Sequence, residues 1–214
     1  MKKPDVNLIN TTIHKYQQEN PNEEPHAIRN VVRKIPELKD FIFNSTLLKI
    51  LGMIDAGLFL TKAIFFDKSP DSNWYVTWHQ DVVINVKERI EAKGYSGWTK
   101  KYDVHGVSPP EEILKDTLTI RIHLDDTSEQ NGALKIIPGS QNKKLDNSEI
   151  QLITQNSLPF ICEVEACGIH IMKPLLLHAS SKSTSQKHRR VLHLEFNTLD
   201  LAAGLQWAEK INLT

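Results

Sequence analysis

A histidine and an aspartate stand two apart in the stretch Val76-Thr77-Trp78-His79-Gln80-Asp81-Val82-Val83, which is otherwise apolar and rich in strand-forming residues. Alternate residues of a strand share a face, so the His79 imidazole and the Asp81 carboxylate would project together and could grip one cation. Imidazole with carboxylate suits a borderline to hard metal. Two histidines and one carboxylate, with coordination positions left open, form the ligand set of non-haem Fe(II) oxygenases. The pair alone is weak evidence, since a lone strand histidine is usually just a satisfied polar residue. A third ligand and a cosubstrate anchor are therefore the features to look for.

His178 is the best third ligand. It ends the apolar run Ile171-Met172-Lys173-Pro174-Leu175-Leu176-Leu177-His178 and is followed by the small residues Ala179, Ser180 and Ser181, which leave room at a strand terminus. His14 and His26 fall in a helical region, and His188 adjoins Arg189 and Arg190. Eleven residues past His178, Arg189 opens the run Arg-Arg-Val-Leu-His-Leu-Glu-Phe. A guanidinium that enters a protein interior needs an anion, and a carboxylate bound through both oxygens matches it best. Alternation puts Arg189 with Val191, His193 and Glu195, and Arg190 with Leu192, Leu194 and Phe196. If helices cover the apolar face, the polar face lines the site. Arg189 is then the anchor and Arg190 the alternative; solvation of both at a loop end is the bland reading.

The elements that must position these groups change character along the chain. The first quarter reads helical, with Pro25 at a helix start before His26 to Lys34, and Ser45 capping an amphipathic stretch from Thr46 to Ala56. From about Leu58 short strands take over: 60–66, 75–78, 117–124, 134–137, 160–165, 169–177 and 190–196. Asn131-Gly132 is a hairpin signal, and Pro138-Gly139-Ser140 closes the strand before it. Seven or more strands after a helical preface predict a mainly β protein, a sandwich or jelly roll, rather than a βαβ array. Segments 85–116 and 139–158 read as long loops of the kind that cover sites.

Composition narrows the function classes. The chain has 214 residues, 40% hydrophobic and 24% charged, which is ordinary for one globular domain with a core. Its 26 basic and 26 acidic residues balance, so nothing suggests a nucleic-acid partner or an acidic membrane surface. No apolar stretch is long enough to span a bilayer, and the N-terminus lacks the apolar core of a signal peptide. Cys162 and Cys167, five apart in an expected strand, would point to opposite faces and suit neither a disulfide nor a zinc pair. An intracellular, cytoplasmic location is expected. The sequence leaves the oligomeric state open.

Three segments, Trp78-His79-Gln80-Asp81, the Asp125-to-Ser140 run with Asn131-Gly132-Ala133-Leu134 at its centre, and Lys173 to Phe196, together resemble the phytanoyl-CoA dioxygenase family. These are Fe(II)- and 2-oxoglutarate-dependent enzymes on a double-stranded β-helix, or cupin-like jelly roll, flanked by helices. The resemblance runs from about residue 60 to 200. It implies a single domain, with residues 1–58 a helical part covering the sheet and 59–200 the β-helix core. It implies that His79, Asp81 and His178 bind iron, that Arg189 holds the distal carboxylate of 2-oxoglutarate, and that Ser180 adds a hydrogen bond. Arg121 and Gln80 would also face the cosubstrate.

The implied reaction hydroxylates a small molecule while 2-oxoglutarate becomes succinate and CO₂, and Asp81 separates the chain from related halogenases, which lack this carboxylate. Two departures stand out: Gln141 where the family commonly has histidine, and Gly168-Ile169 where it has glycine-aspartate. Trp74, Trp78, Trp98, Tyr102 and His105 are candidates to frame the mouth, with Lys68 and Asn73 as possible contacts. Three other readings stay open: a cupin-like metal-binding or sensing module without turnover, a zinc hydrolase or isomerase, and a structural β-domain with incidental histidines.

Overall fold

A computed structural model describes residues 1–101 and 104–213. In chain order the elements are α1 (Lys3–Glu19), β1 (Ala27–Arg29), α2 (Val31–Lys34), α3 (Leu38–Ile42), α4 (Ser45–Ile54), β2 (Phe59–Lys68), β3 (Val76–His79), β4 (Ile84–Val86), β5 (Ser96–Lys101), β6 (Val104–Ser108), α5 (Glu111–Asp116), β7 (Leu118–His123), β8 (Leu134–Ile136), α6 (Asn147–Asn156), β9 (Phe160–Cys162), β10 (Ile169–Met172), β11 (His178–Ser180), β12 (Arg189–Asn197) and β13 (Ile211–Asn212).

Among the described residues every strand pairing is antiparallel. The major sheet runs β1-β2-β12-β7-β10, with β13 also on β2; a minor sheet runs β3-β11-β8-β9; and a third, β4-β6-β5, extends one end. The major and minor sheets enclose a cavity between them without closing into a barrel. The architecture is a jelly roll, mainly β with helices on one side.

Alternation along the long strands divides the major sheet into two faces. Leu192, Leu194 and Phe196 of β12, Ile120 and Ile122 of β7, and Ala63 and Phe65 of β2 pack with Ile9 and Ile13 of α1, Leu38 and Ile42 of α3, and Leu51 of α4 in one apolar cluster. The helices thus cover the outer face. The opposite face carries Lys62, Arg121, Arg189, His193 and Glu195 into the cavity. At α4 the cap is Asn44, not Ser45, and its side-chain oxygen accepts from the Thr46 and Leu47 amides.

Several local expectations are overturned by long-range pairing. The helix expected from His26 to Lys34 is replaced by strand β1, which pairs with β2, followed by the four-residue α2. Asn131-Gly132 does not turn a hairpin. Asn131 ends a 3₁₀ turn, and β7 and β8 lie in different sheets. Segment 85–116 contains the third sheet and α5, and 139–158 contains α6, whose Asp146 and Glu149 form a capping box. Cys162 ends β9 while Cys167 lies in a turn with φ 71°, so they share no strand; both are free thiols. The expected strand 169–177 breaks after Met172, so His178 begins a strand rather than ending one.

Candidate active site

The β3–β11 pairing sets His178 directly opposite His79. Their rings lie 4.2 Å apart between centroids. Asp81 falls two residues beyond His79 but outside the strand, where its backbone amide donates to the Pro174 carbonyl. That bond turns the carboxylate toward both histidines: His79 Nε2 is 3.6 Å from Oδ1 and His178 Nε2 is 3.5 Å from Oδ2. One ligand atom from each of the three lies within 4.8 Å of the others. His178 is nearly closed off from solvent, at 6% side-chain exposure, while His79 keeps 36%, so the cluster opens on the His79 side.

Each ring is held by a backbone carbonyl. The Nδ1 atoms of His79 and His178 lie 2.8 Å from the Thr77 and Leu176 carbonyls, respectively. A carbonyl only accepts, so each Nδ1 carries a proton, and in the neutral ring the Nε2 lone pair faces the cluster. Burial depresses the His178 pKa to about 4 despite Asp81 nearby, which keeps the ring neutral at pH 7. At His79 burial also acts downward, but the contact with Asp81 outweighs it and the pKa is raised. Asp81 is held well below the carboxylate range: burial opposes this, and His79, His178, His193 and Lys62 overcome it.

Behind the cluster a cavity of about 460 Å³ reaches across the major sheet. There Arg121 Nη1 lies 3.1 Å from His193 Nδ1, and His193 Nε2 lies 3.0 Å from Glu195 Oε1. Guanidinium has no acceptor, so His193 Nδ1 accepts and Nε2–H donates to Glu195. Lys62 completes the chain, donating to Glu195 at 2.8 Å and to the Val83 carbonyl at 3.1 Å. Asp81, His193 and Glu195 are also close enough to share an ion. However, both His193 nitrogens are engaged and Glu195 already holds an ammonium, so this group forms a hydrogen-bonded floor to the cavity.

Arg189 differs from the paired Lys62 and Glu195. It is 3% exposed, lines the cavity, and its Nε and Nη1 are buried with no hydrogen-bond partner. Burial and the neighbouring Arg121 lower its pKa to about 9. Arg190 points the other way and is held by both oxygens of Asp125, at 2.8 and 2.6 Å. Lys68, opposite Arg189 in the β2–β12 register, is fully buried; its ammonium donates to Ser180 Oγ at 2.8 Å and to the Ser181 carbonyl at 2.7 Å. Ser180 in turn donates to the Gly132 carbonyl and lines the cavity. A buried guanidinium without a carboxylate partner, with Lys68 behind it, gives this end the capacity to receive an anion.

The remaining sequence candidates divide. Arg121 lines the cavity with its Nε buried and unpartnered. Gln80 also borders it, but its amide is committed to the Lys143 and Leu175 carbonyls and the Leu145 amide. It clamps loops around the His79–Asp81 segment. Asn73 ties down Ser183 through both ends of its amide. Among the expected aromatic residues, Trp74 lines the cavity, whereas Trp98 packs in a separate apolar cluster and His105 sits in the third sheet. Trp78 does not line it, and Tyr102 lies outside the described residues.

Arg29 and Lys62 were missed as cavity residues, as were His193 and Glu195, although alternation with Arg189 had already put the last two on its face. No comparable signal marks Arg29, because its segment follows Pro25 and has the pattern of a helix start.

A family model described as phytanoyl-CoA dioxygenase (PhyH) matches residues 10–191. No curated protein matches the sequence. Among solved structures, SnoK, a non-heme alpha-ketoglutarate-dependent carbocyclase from nogalamycin biosynthesis, superposes with a TM-score of 0.69 at 14% identity, covering 94% of this chain and 77% of its own. EctD from S. alaskensis with bound Fe gives 0.68 at 13%, covering 92% and 69%. AviO1 from Streptomyces viridochromogenes Tue57 gives 0.58 at 20%, covering 83% and 68%. At these identities the likeness is one of fold, the double-stranded β-helix.

Proposed function

The chain belongs to the phytanoyl-CoA dioxygenase family, and on that premise we propose that it hydroxylates a small molecule with O₂ and 2-oxoglutarate at a single Fe(II), releasing succinate and CO₂. The observation that carries this reading is the buried, unpartnered guanidinium of Arg189 at one end of a cavity whose other wall holds the His79–Asp81–His178 cluster. A metal site alone would not call for it. A dicarboxylate reaching from metal to arginine would satisfy both.

In this reading His79 and His178 offer their Nε2 lone pairs and Asp81 its carboxylate, leaving positions open for cosubstrate and O₂. Fe(II) with bound 2-oxoglutarate supplies the oxidising chemistry. Arg189 binds the distal carboxylate through two donors, and the Ser180 hydroxyl, set by Lys68 and Gly132, lies beside it. Arg121 fixes the His193 tautomer and keeps a free Nε toward the cavity. Asp81 fills the position that a halide would need, which supports hydroxylation. A 460 Å³ cavity sits in the lower part of the usual ~300–1,000 Å³ range and is shared with the cosubstrate, so a compact substrate fits best.

We place the enzyme in a reducing compartment, consistent with its two free thiols, and treat residues 1–214 as one domain. No helix among the described residues is long and apolar enough to cross a membrane. The test is succinate release from 2-oxoglutarate under air with Fe(II) and a panel of small metabolites. One compound should stimulate release, and His178→Ala should abolish it. Iron binding without any succinate would instead support the non-catalytic module.

A further inference from the structure

From an unmatched charge at the opposite side of the cavity, we infer that the substrate itself is a small carboxylate with an apolar or planar body, and that Arg29 is the residue that recognises its charge. The inference rests on the dioxygenase reading for which end of the cavity is the substrate's.

Arg29 lies on β1, at the edge of the major sheet. Ile28 turns into the helical core, which leaves Ala27 and Arg29 on the other face, and Arg29 lines the cavity. In register it stands opposite Ile64, which stands opposite His193. Two strand spacings put Arg29 about 10 Å across the sheet from His193. The other cations of the cavity are accounted for. Lys62 is paired with Glu195, Arg121 is bonded to His193, and Arg189 is assigned to the cosubstrate. Arg29 itself is half-buried, and its Nε is buried without a hydrogen-bond partner.

Leaving a guanidinium N–H desolvated and unbonded is costly unless a ligand completes it. The surface next to it is apolar: Ile64, Phe66, Trp74, Val76 and Val83 line the same cavity. A carboxylate on Arg29 with its carbon body against these side chains uses both features. A molecule without an acceptor would leave the Nε–H unmet, and for a larger anion such as a nucleotide thioester the cavity offers no further unassigned cation among the described residues.

The test needs neither metal nor turnover. Calorimetric titration of the full metal-free chain with 3-phenylpropanoate and with its primary amide compares one body with and without the charge. The acid should bind at least about tenfold more tightly, as a charge-assisted hydrogen bond implies. Arg29→Ala and Arg29→Gln should remove that preference, Arg29→Lys should keep part of it, and Arg189→Ala should leave most of it. Equal binding of acid and amide, no measurable acid binding, or a preference that disappears with Arg189 and survives loss of Arg29 would each overturn the assignment. Failure of the dioxygenase reading would show separately, as an absent Fe(II)–2-oxoglutarate absorption band in the unaltered protein.

Discussion

Along β12, Leu192, Leu194 and Phe196 alternate with Arg189, His193 and Glu195, and the two sets meet very different surroundings. The first set is fully buried against α1, α3 and α4 in a continuous apolar cluster. The second is equally buried but faces a cavity, where His193 and Glu195 are satisfied by Arg121 and Lys62 while Arg189 is not. Burial therefore does not distinguish core from site here; the state of the hydrogen-bonding groups does. One face stores stability, and the other leaves unmet bonding capacity for a ligand to complete.

The largest expected effect belongs to the proposed metal side of the cavity. Removing a direct ligand should exceed the ~10–100-fold losses typical of outer-shell partners, so His178→Ala and Asp81→Ala should each weaken Fe(II) binding more than about a hundredfold in metal titrations, with the far-ultraviolet circular dichroism spectrum retained. The outer face of β12 should show the reverse. Phe196→Ala should cost about 3–5 kcal/mol in urea unfolding, while the surviving folded molecules bind 2-oxoglutarate normally.

A sharper contrast comes from Arg189→Met. Because the native guanidinium is buried without partners, the ligand-free variant should be more stable by about 1–3 kcal/mol, and yet should fail to bind the cosubstrate. A loss of stability on this substitution would mean that Arg189 is part of the structural framework.

The last effect is one of pH. Burial, aided by Arg189 and Arg121, lowers the Lys68 pKa to about 7, whereas the unfolded chain titrates near 10.4. Between about pH 7 and 10 the unfolded state binds more protons at this group, so its contribution makes the folded state more stable as pH rises. Below pH 7 the penalty of the buried ammonium is felt in full. The urea midpoint of the ligand-free chain should therefore increase from pH 7 to 9.5, and Lys68→Met should flatten that rise.

Much of this contrast was legible in the sequence, because period-two alternation is a local property and β12 is long enough to display it. His79, Asp81 and His178 were visible for a related reason: polar groups interrupt apolar, strand-forming stretches. What escaped depends on which strands become neighbours. Arg29 acquires meaning only once β1 pairs with β2, and its segment follows a proline that reads as a helix start; tertiary pairing overrides such propensity. Gly132 shows the same limit in another way. Its φ of 81° ends a 3₁₀ turn and not the hairpin that Asn-Gly suggests, and its lack of a side chain serves the close approach of the Ser181 carbonyl and Lys68, where a Cβ would come within 2.7 Å of the carbonyl oxygen. Nothing local announces that approach.

The central claim, that the unmatched face of β12 is the cosubstrate anchor of a facial iron site, is tested most directly by anaerobic titration of Fe(II) and 2-oxoglutarate into the full chain. The visible metal-to-ligand charge-transfer band should form with the unaltered protein and with Arg190→Ala, whose side chain is already held by Asp125. With Arg189→Ala it should require at least about a hundredfold more 2-oxoglutarate, in line with losing a buried, two-donor charge pair. A band that forms equally well without Arg189, or that weakens with Arg190→Ala instead, would contradict the account.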